Sequence, residues 1–159
     1  MGRLRARTAD QPAAPAKFLD WQRDGRGFDA VAAFNQYQSA LNLTGIGEPQ
    51  ELDVTHVTED FFRVLGIAPV VGRPILPSDR DSDSRLIVLS EHLWRQSFGA
   101  DPQVIGRLVR LHGESFELIG VMPDAAALGS TPTDAWVRLE LTGEQARPRQ
   151  AHYLRVIAR

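Results

Sequence analysis

Thr58-Glu59-Asp60-Phe61-Phe62-Arg63-Val64-Leu65-Gly66-Ile67-Ala68-Pro69-Val70-Val71-Gly72-Arg73-Pro74-Ile75-Leu76-Pro77 reads as a short helix running into a segment that cannot be helical. Thr58 is a natural N-cap, because its hydroxyl can accept from an unpaired N–H of the first turn. Glu59 and Asp60 place negative charge at the positive end of the helix dipole. Phe61, Phe62, Val64 and Leu65 supply a buried side, and Gly66 suits the left-handed position that closes a helix. Pro69, Pro74 and Pro77, with Gly72 among them, then interrupt any regular element over 68–77. That span is expected to be an irregular crossing between two parts of the molecule.

Downstream, 77–85 reads as a polar loop and 85–89 as a strand rich in Leu, Ile and Val. Ser90 is placed to cap a helix over 91–98, which Gly99 ends. Asp101-Pro102 starts a single turn, with Asp as cap and Pro in the first helical position. Strands over 107–111 and 115–122 flank His112-Gly113-Glu114, a hairpin turn. A loop over 125–133 leads to a strand over 135–139, and 152–158 reads as a last strand. Upstream, 3–7 is a candidate edge strand, 11–15 a linker and 15–24 a helix with Phe18, Leu19 and Trp21 on its apolar side. Extended stretches follow over 28–34, 37–43 and 51–58. In the last of these Leu52, Val54 and either His56 or Val57 compete for the inner face.

About three helices and eight or nine strands without strict βαβ alternation give an α+β class. The 159 residues allow one domain, or two small lobes sharing a core. Apolar residues at 43% and charged residues at 24% are the balance of a folded globular chain. The net charge of −2 and the dispersed arginines offer no basic surface for nucleic acid. The absence of cysteine excludes disulfides, thiolate metal sites and thiol nucleophiles. The longest apolar runs, such as 86–89, are far too short to span a bilayer. The chain stops inside the strand Tyr153-Leu154-Arg155-Val156-Ile157, which suggests a boundary drawn within a longer protein.

No stretch carries a complete reaction centre. Asp79, Asp81 and Asp83 form a D-x-D-x-D run, but Ser84 and Ser90 stand where a calcium loop needs glycine and glutamate. The run is therefore expected to be a solvated loop. Gly45-Ile46-Gly47 lacks the third glycine of a dinucleotide fingerprint, and Pro49 spoils the helix start, so it reads as a turn between strands. There is no P-loop, and the only lysine is Lys17. His56, His92, His112 and His152 show no metal-ligand spacing and are expected in surface or satisfied structural roles. Ser90 is explained by capping. Phe61, Phe62, Trp94, Phe98, Phe116 and Trp136 are expected in the core rather than around a ligand. No catalytic, cofactor-binding or metal residue is assigned.

The ordered landmarks do carry a resemblance. Phe61-Phe62-Arg63-Val64-Leu65-Gly66-Ile67-Ala68-Pro69 with Gly72-Arg73, then Val88-Leu89-Ser90-Glu91-His92-Leu93-Trp94 through Phe98-Gly99-Ala100-Asp101-Pro102, resemble two segments of the MacB-like periplasmic core domain of ABC-transporter permeases. Ile105-Gly106-Arg107, Ile119-Gly120-Val121-Met122-Pro123 and Asp134-Ala135-Trp136-Val137 continue it in order. Phe18-Leu19-Asp20-Trp21 with Phe28 to Phe34, and the terminal Leu154-Arg155-Val156-Ile157-Ala158-Arg159, extend it over nearly the whole chain. Gln22 and Arg138 depart from the arginine and proline usual at those positions.

That resemblance implies a domain outside the cytoplasmic membrane, between the first and second transmembrane helices of a permease. It implies two lobes: a mixed α/β, porter-like lobe from 1–66 with 150–159, and an inserted β-rich lobe from 67–149. A single continuous, single-lobed sheet would count against it. It further implies a part without catalysis or cofactor, relaying ATP-driven motion in order to export or mobilise a substrate. Its partners would be the parent permease's transmembrane helices, a separate ABC ATPase, and a second permease copy or an envelope adaptor. Exposed residues over 35–50 and the loop 77–85 are the expected contact surfaces. The competing readings are an extracytoplasmic substrate- or partner-binding module and a small stand-alone hydrolase.

Overall fold

The computed structural model describes residues 7–8, 31–35, 39–45, 48–81, 85–127, 133–139 and 154–158. Their strands are β1 Arg7–Thr8, β2 Val31–Asn35, β3 Ser39–Thr44, β4 Gln50–Val57, β5 Val71–Gly72, β6 Leu86–Ser90, β7 Leu108–Leu111, β8 Glu114–Met122, β9 Ala135–Arg138 and β10 Leu154–Ala158. The helices are α1 Phe61–Leu65 and α2 Glu91–Ser97, with single 3-10 turns at Pro77–Asp81, Pro102–Val104 and Asp124–Ala126. The fold is mixed and sheet-rich, with few helices. The helix expected over 15–24 lies outside the described residues, as does most of the expected strand 3–7.

All ten strands belong to one hydrogen-bonded network, but it is not an open sheet. β4 pairs with β3, β3 with β7, β7 with β8, β8 with β6, β6 with β9, and β9 returns to β4. These strands therefore close into a small barrel, a closure that leaves no exposed edge among them. The β6–β8 and β4–β9 pairs are parallel and the others antiparallel. β2 joins β4 at Phe34 and Val57, β10 pairs along β2, and β1 pairs with β10 on the outside.

Side-chain alternation sorts the apolar residues to two sides of this ring. Leu52, Val54, Ile87, Leu89, Val109, Leu111, Ala135 and Val137 fill its interior. Leu93 and Trp94 of α2, with Val104, complete the same cluster and plug one end. The intervening Leu86, Val88 and Trp136 face outward, where Phe61, Phe62 and Val64 of α1, Ala32 of β2 and Ile157 of β10 cover them. Phe34, Phe61, Phe62 and Trp136 make a chain of edge-on ring contacts, with centroids 5.2 to 5.7 Å apart. The inner-face competition in β4 resolves by position. Leu52 and Val54 point into the barrel, whereas Val57 points out into the second cluster.

The boundary expected between 66 and 67 falls at the end of α1, and the barrel takes β3 and β4 from before it. Both apolar clusters draw residues from both sides of that boundary.

Four local expectations are corrected. Thr58 does not cap α1: Asp60 stands at the N-cap with no side-chain hydrogen bond. The Thr58 hydroxyl instead accepts the buried Ala33 N–H at 2.9 Å, because Thr58 leaves β4 beside β2. The crossing 68–77 is not wholly irregular, since Val71 and Gly72 pair with Val121 and Gly120 of β8. The stretch 77–85 opens with a 3-10 turn rather than plain loop. Asp79 in that turn is buried rather than solvated. Three other sequence signals act as expected. Gly66 closes α1 at φ 68°, the Ser90 hydroxyl accepts from Leu93 N–H, and the Asp101 carboxylate accepts from Gln103 N–H.

Candidate functional site

Two side-chain clusters gather the polar groups that the sequence raised. The first holds the crossing segment. Arg73 donates to Asp79 through both terminal nitrogens, at 3.0 and 3.2 Å, and Leu76 N–H donates to the same carboxylate at 2.8 Å. Burial alone would raise the Asp79 carboxyl, but the Arg73 guanidinium and the Leu76 amide outweigh it and hold it below the ordinary carboxylate range. Its two oxygens are thus turned to Arg73 and the main chain. Asp81 lies in the same turn, and Asp83 lies outside the described residues.

The second cluster surrounds His92 in the first turn of α2. Its Nδ1 lies 2.8 Å from Asp124 Oδ1 and its Nε2 lies 3.0 Å from Asp134 Oδ1. The His92 main-chain N–H also donates to Asp124 Oδ1 at 3.3 Å. Asp134 is fixed in turn, accepting Asp53 N–H at 2.9 Å through Oδ2. Burial alone would lower the imidazole, but the hydrogen bonds and charges of Asp124 and Asp134 outweigh it and raise its basicity. Each ring nitrogen faces a carboxylate, so the arrangement ties the start of α2 to both aspartates. Among the described residues no group of three His, Cys, Asp or Glu side chains is placed to hold a metal ion.

His56 sits on β4, largely buried, and burial pushes its imidazole below the ordinary value. His112 occupies the β7–β8 turn, and His152 lies outside the described residues. Gly45 turns the chain after β3 at φ 90°, while residues 46–47 are outside the described set. Trp94 Nε1–H donates to Asp101 carbonyl at 3.0 Å, and Phe98 and Phe116 pack against the barrel interior. Arg138 donates to Glu59 at 3.3 Å across β9 and the approach to α1.

The partners of His92 lie 32 and 42 residues downstream. No local spacing marks them. The available signal was Asp124 just after the β8 strand and Asp134 just before the β9 strand, which only the topology brings to one helix end.

No helix among the described residues is long and apolar enough to cross a membrane. A family model described as the MacB-like periplasmic core domain matches residues 2–159. The macrolide export ATP-binding/permease protein MacB of Hahella chejuensis (strain KCTC 2396) is 29% identical over 73 residues. That match covers 46% of this chain, and the chain spans 11% of the length of that relative. Among solved structures, a domain of a putative permease from Porphyromonas gingivalis superposes with a TM-score of 0.72 at 16% identity, covering 97% of this chain and 72% of that one. The periplasmic region of MacB from Actinobacillus actinomycetemcomitans gives 0.65 at 17% identity, over 93% of this chain and 65% of that one. The extracellular domain of the noncanonic ABC-type transporter YknZ from Gram-positive bacteria gives 0.66 at 15% identity, over 96% and 83%.

Proposed function

The chain belongs to the MacB-like periplasmic core domain family, and from that premise we propose that it is a passive relay in an ABC-transporter permease, passing ATP-driven motion of membrane helices to the far side of the membrane. The observation that supports this reading is the pairing of the two outermost strands. Arg7 of β1 stands opposite Ala158 of β10, and Thr8 opposite Ile157. β10 continues the ladder onto β2 from Leu154↔Asn35 to Ala158↔Val31. Motion passed into either strand is carried along neighbouring ladders of one sheet. That sheet is tied through Phe34 and Val57 to the plugged barrel. A close-packed body of this kind transmits displacement rather than absorbing it.

In this reading ATP is hydrolysed by a separate ABC ATPase, and the barrel face is offered to a second permease copy or an envelope adaptor. The domain itself needs no catalytic group. The test uses the complete permease with its ATPase in proteoliposomes. A flexible glycine-serine insert between β1 and the preceding membrane helix should leave ATP hydrolysis intact and abolish transport. Undiminished transport would overturn the relay. Turnover of ester, phosphate or glycoside substrates at an enzyme-like rate by the purified domain would overturn the passive role.

A further inference from the structure

We propose that His92 is a pH-operated clasp that ties the start of the helix Glu91–Ser97 to both ends of the β8–β9 connection and lets one end go when its ring loses a proton. Asp124 follows β8 directly in the 3-10 turn Asp124–Ala126, and Asp134 immediately precedes β9. The ring touches one carboxylate through each nitrogen, at 2.8 and 3.0 Å. A neutral imidazole has one N–H and one lone pair, so only the protonated ring donates to both. Deprotonation leaves one carboxylate facing a lone pair.

The surroundings decide which contact breaks. Asp134 has 23% of its side chain exposed, and its other oxygen accepts Asp53 N–H. Its main chain is held as well, donating to Asp53 carbonyl and accepting from Ser90 N–H. Asp124 has 56% of its side chain exposed, and its described partners are the His92 ring and amide. The Asp124 end therefore releases and the Asp134 end stays. The charged groups around the ring are accounted for by element. Asp124 faces it from the turn after β8 and Asp134 from the start of β9. On its own helix Glu91 is turned to Arg95 at 2.9 Å, and on β4 Asp53 meets the cluster through its main chain.

The experiment is a ring-nitrogen NMR titration of the full 159-residue chain with amide hydrogen exchange, across roughly pH 5 to 9. The His92 midpoint is expected above the ordinary histidine value of about 6.5. Protection at the His92 and Ala127 amides, corrected for intrinsic exchange, should fall through that midpoint, while the Asp53 and Ser90 amides stay protected. His92→Gln should remove the pH dependence at Ala127. Asp124→Asn, at an exposed site that tolerates substitution, should lower the His92 midpoint and settles the matter if the glutamine variant folds poorly. A His92 midpoint at or below the ordinary value, or Ala127 protection that ignores the ring's titration, overturns the clasp.

Discussion

Gly72 and Gly120 stand opposite each other in the β5–β8 pairing with no room for a side chain on either. A Cβ on Gly120 would lie 2.1 Å from the Arg73 carbonyl oxygen, and one on Gly72 2.3 Å from that of Ile119. Both obstacles are main chain, which cannot swing aside. The approach coincides with a shift in the β6–β8 register between Ile87 and Val88, where β8 carries one extra residue. Gly120→Ala is therefore expected to force β5 off β8 at a cost of about 3 kcal/mol. Gly99→Ala is the control: it has a φ of 62° but nothing within 4 Å of its Cβ, so only the left-handed backbone penalty of about 1–2 kcal/mol applies. Urea denaturation of both variants decides the matter. An equal loss would show that the close approach is not what fixes glycine at 120.

The Arg73–Asp79 pair should make stability depend on acid in a defined direction. Asp79 sits below the ordinary carboxylate range in the fold, so its contribution is fully present above the unfolded value near 3.9 and is lost as pH falls through the folded value. Asp79→Ala leaves Arg73 and the Leu76 amide without their acceptor and should cost about 1–3 kcal/mol at neutral pH, the exposed Arg73 side being screened by water. Asp79→Asn, which still accepts from Leu76, should cost less. Denaturation midpoints from pH 7 down to 2 should show the variants converging with the parent protein in acid. Curves that remain parallel would contradict the assignment.

The elements whose signals are local were legible in the sequence, and the contacts that topology creates were not. Ser90, Asp101 and Gly66 act within one helical turn, so their residue types sufficed. His112-Gly113 likewise announced its turn. The ring closure was hidden because it depends on β9 returning to β4, a parallel pairing over Val54–Val57 and Ala135–Arg138 that no turn residue encodes. The His92 cluster was hidden for the same reason. Asp79 misled because a polar D-x-D-x-D run looks solvated, and nothing nearby in sequence says that Arg73 folds back over it. Thr58 misled because its residue type serves a helix cap and a strand bridge equally well.

That ambiguity gives a test of two threonine roles. Thr58→Val keeps the shape but leaves the buried Ala33 N–H without its acceptor, and should cost about 1–3 kcal/mol. Ser90→Ala removes a true cap and should cost about 1 kcal/mol. In thermal unfolding Thr58→Val is expected to lose more than Ser90→Ala. A Thr58→Val loss no larger than the Ser90→Ala loss would mean that the Thr58 hydroxyl does no more than an ordinary helix cap.

The β7–β8 hairpin offers a gain rather than a loss. Leu111 pairs with Glu114, leaving a turn of His112 at φ 53° and Gly113 at φ 84°. Positive φ at both central positions is the geometry that matches the right-handed twist of the flanking strands, and asparagine followed by glycine fits it best. Histidine in the left-handed region carries strain on the order of 1 kcal/mol, part of which asparagine relieves. The His112 amide donates to Asn42 carbonyl, a contact that any non-proline residue keeps. His112→Asn should therefore raise stability by a few tenths to about 1 kcal/mol while leaving the fold unchanged. An unchanged or lowered urea midpoint would mean that the imidazole contributes something at this turn beyond its backbone conformation.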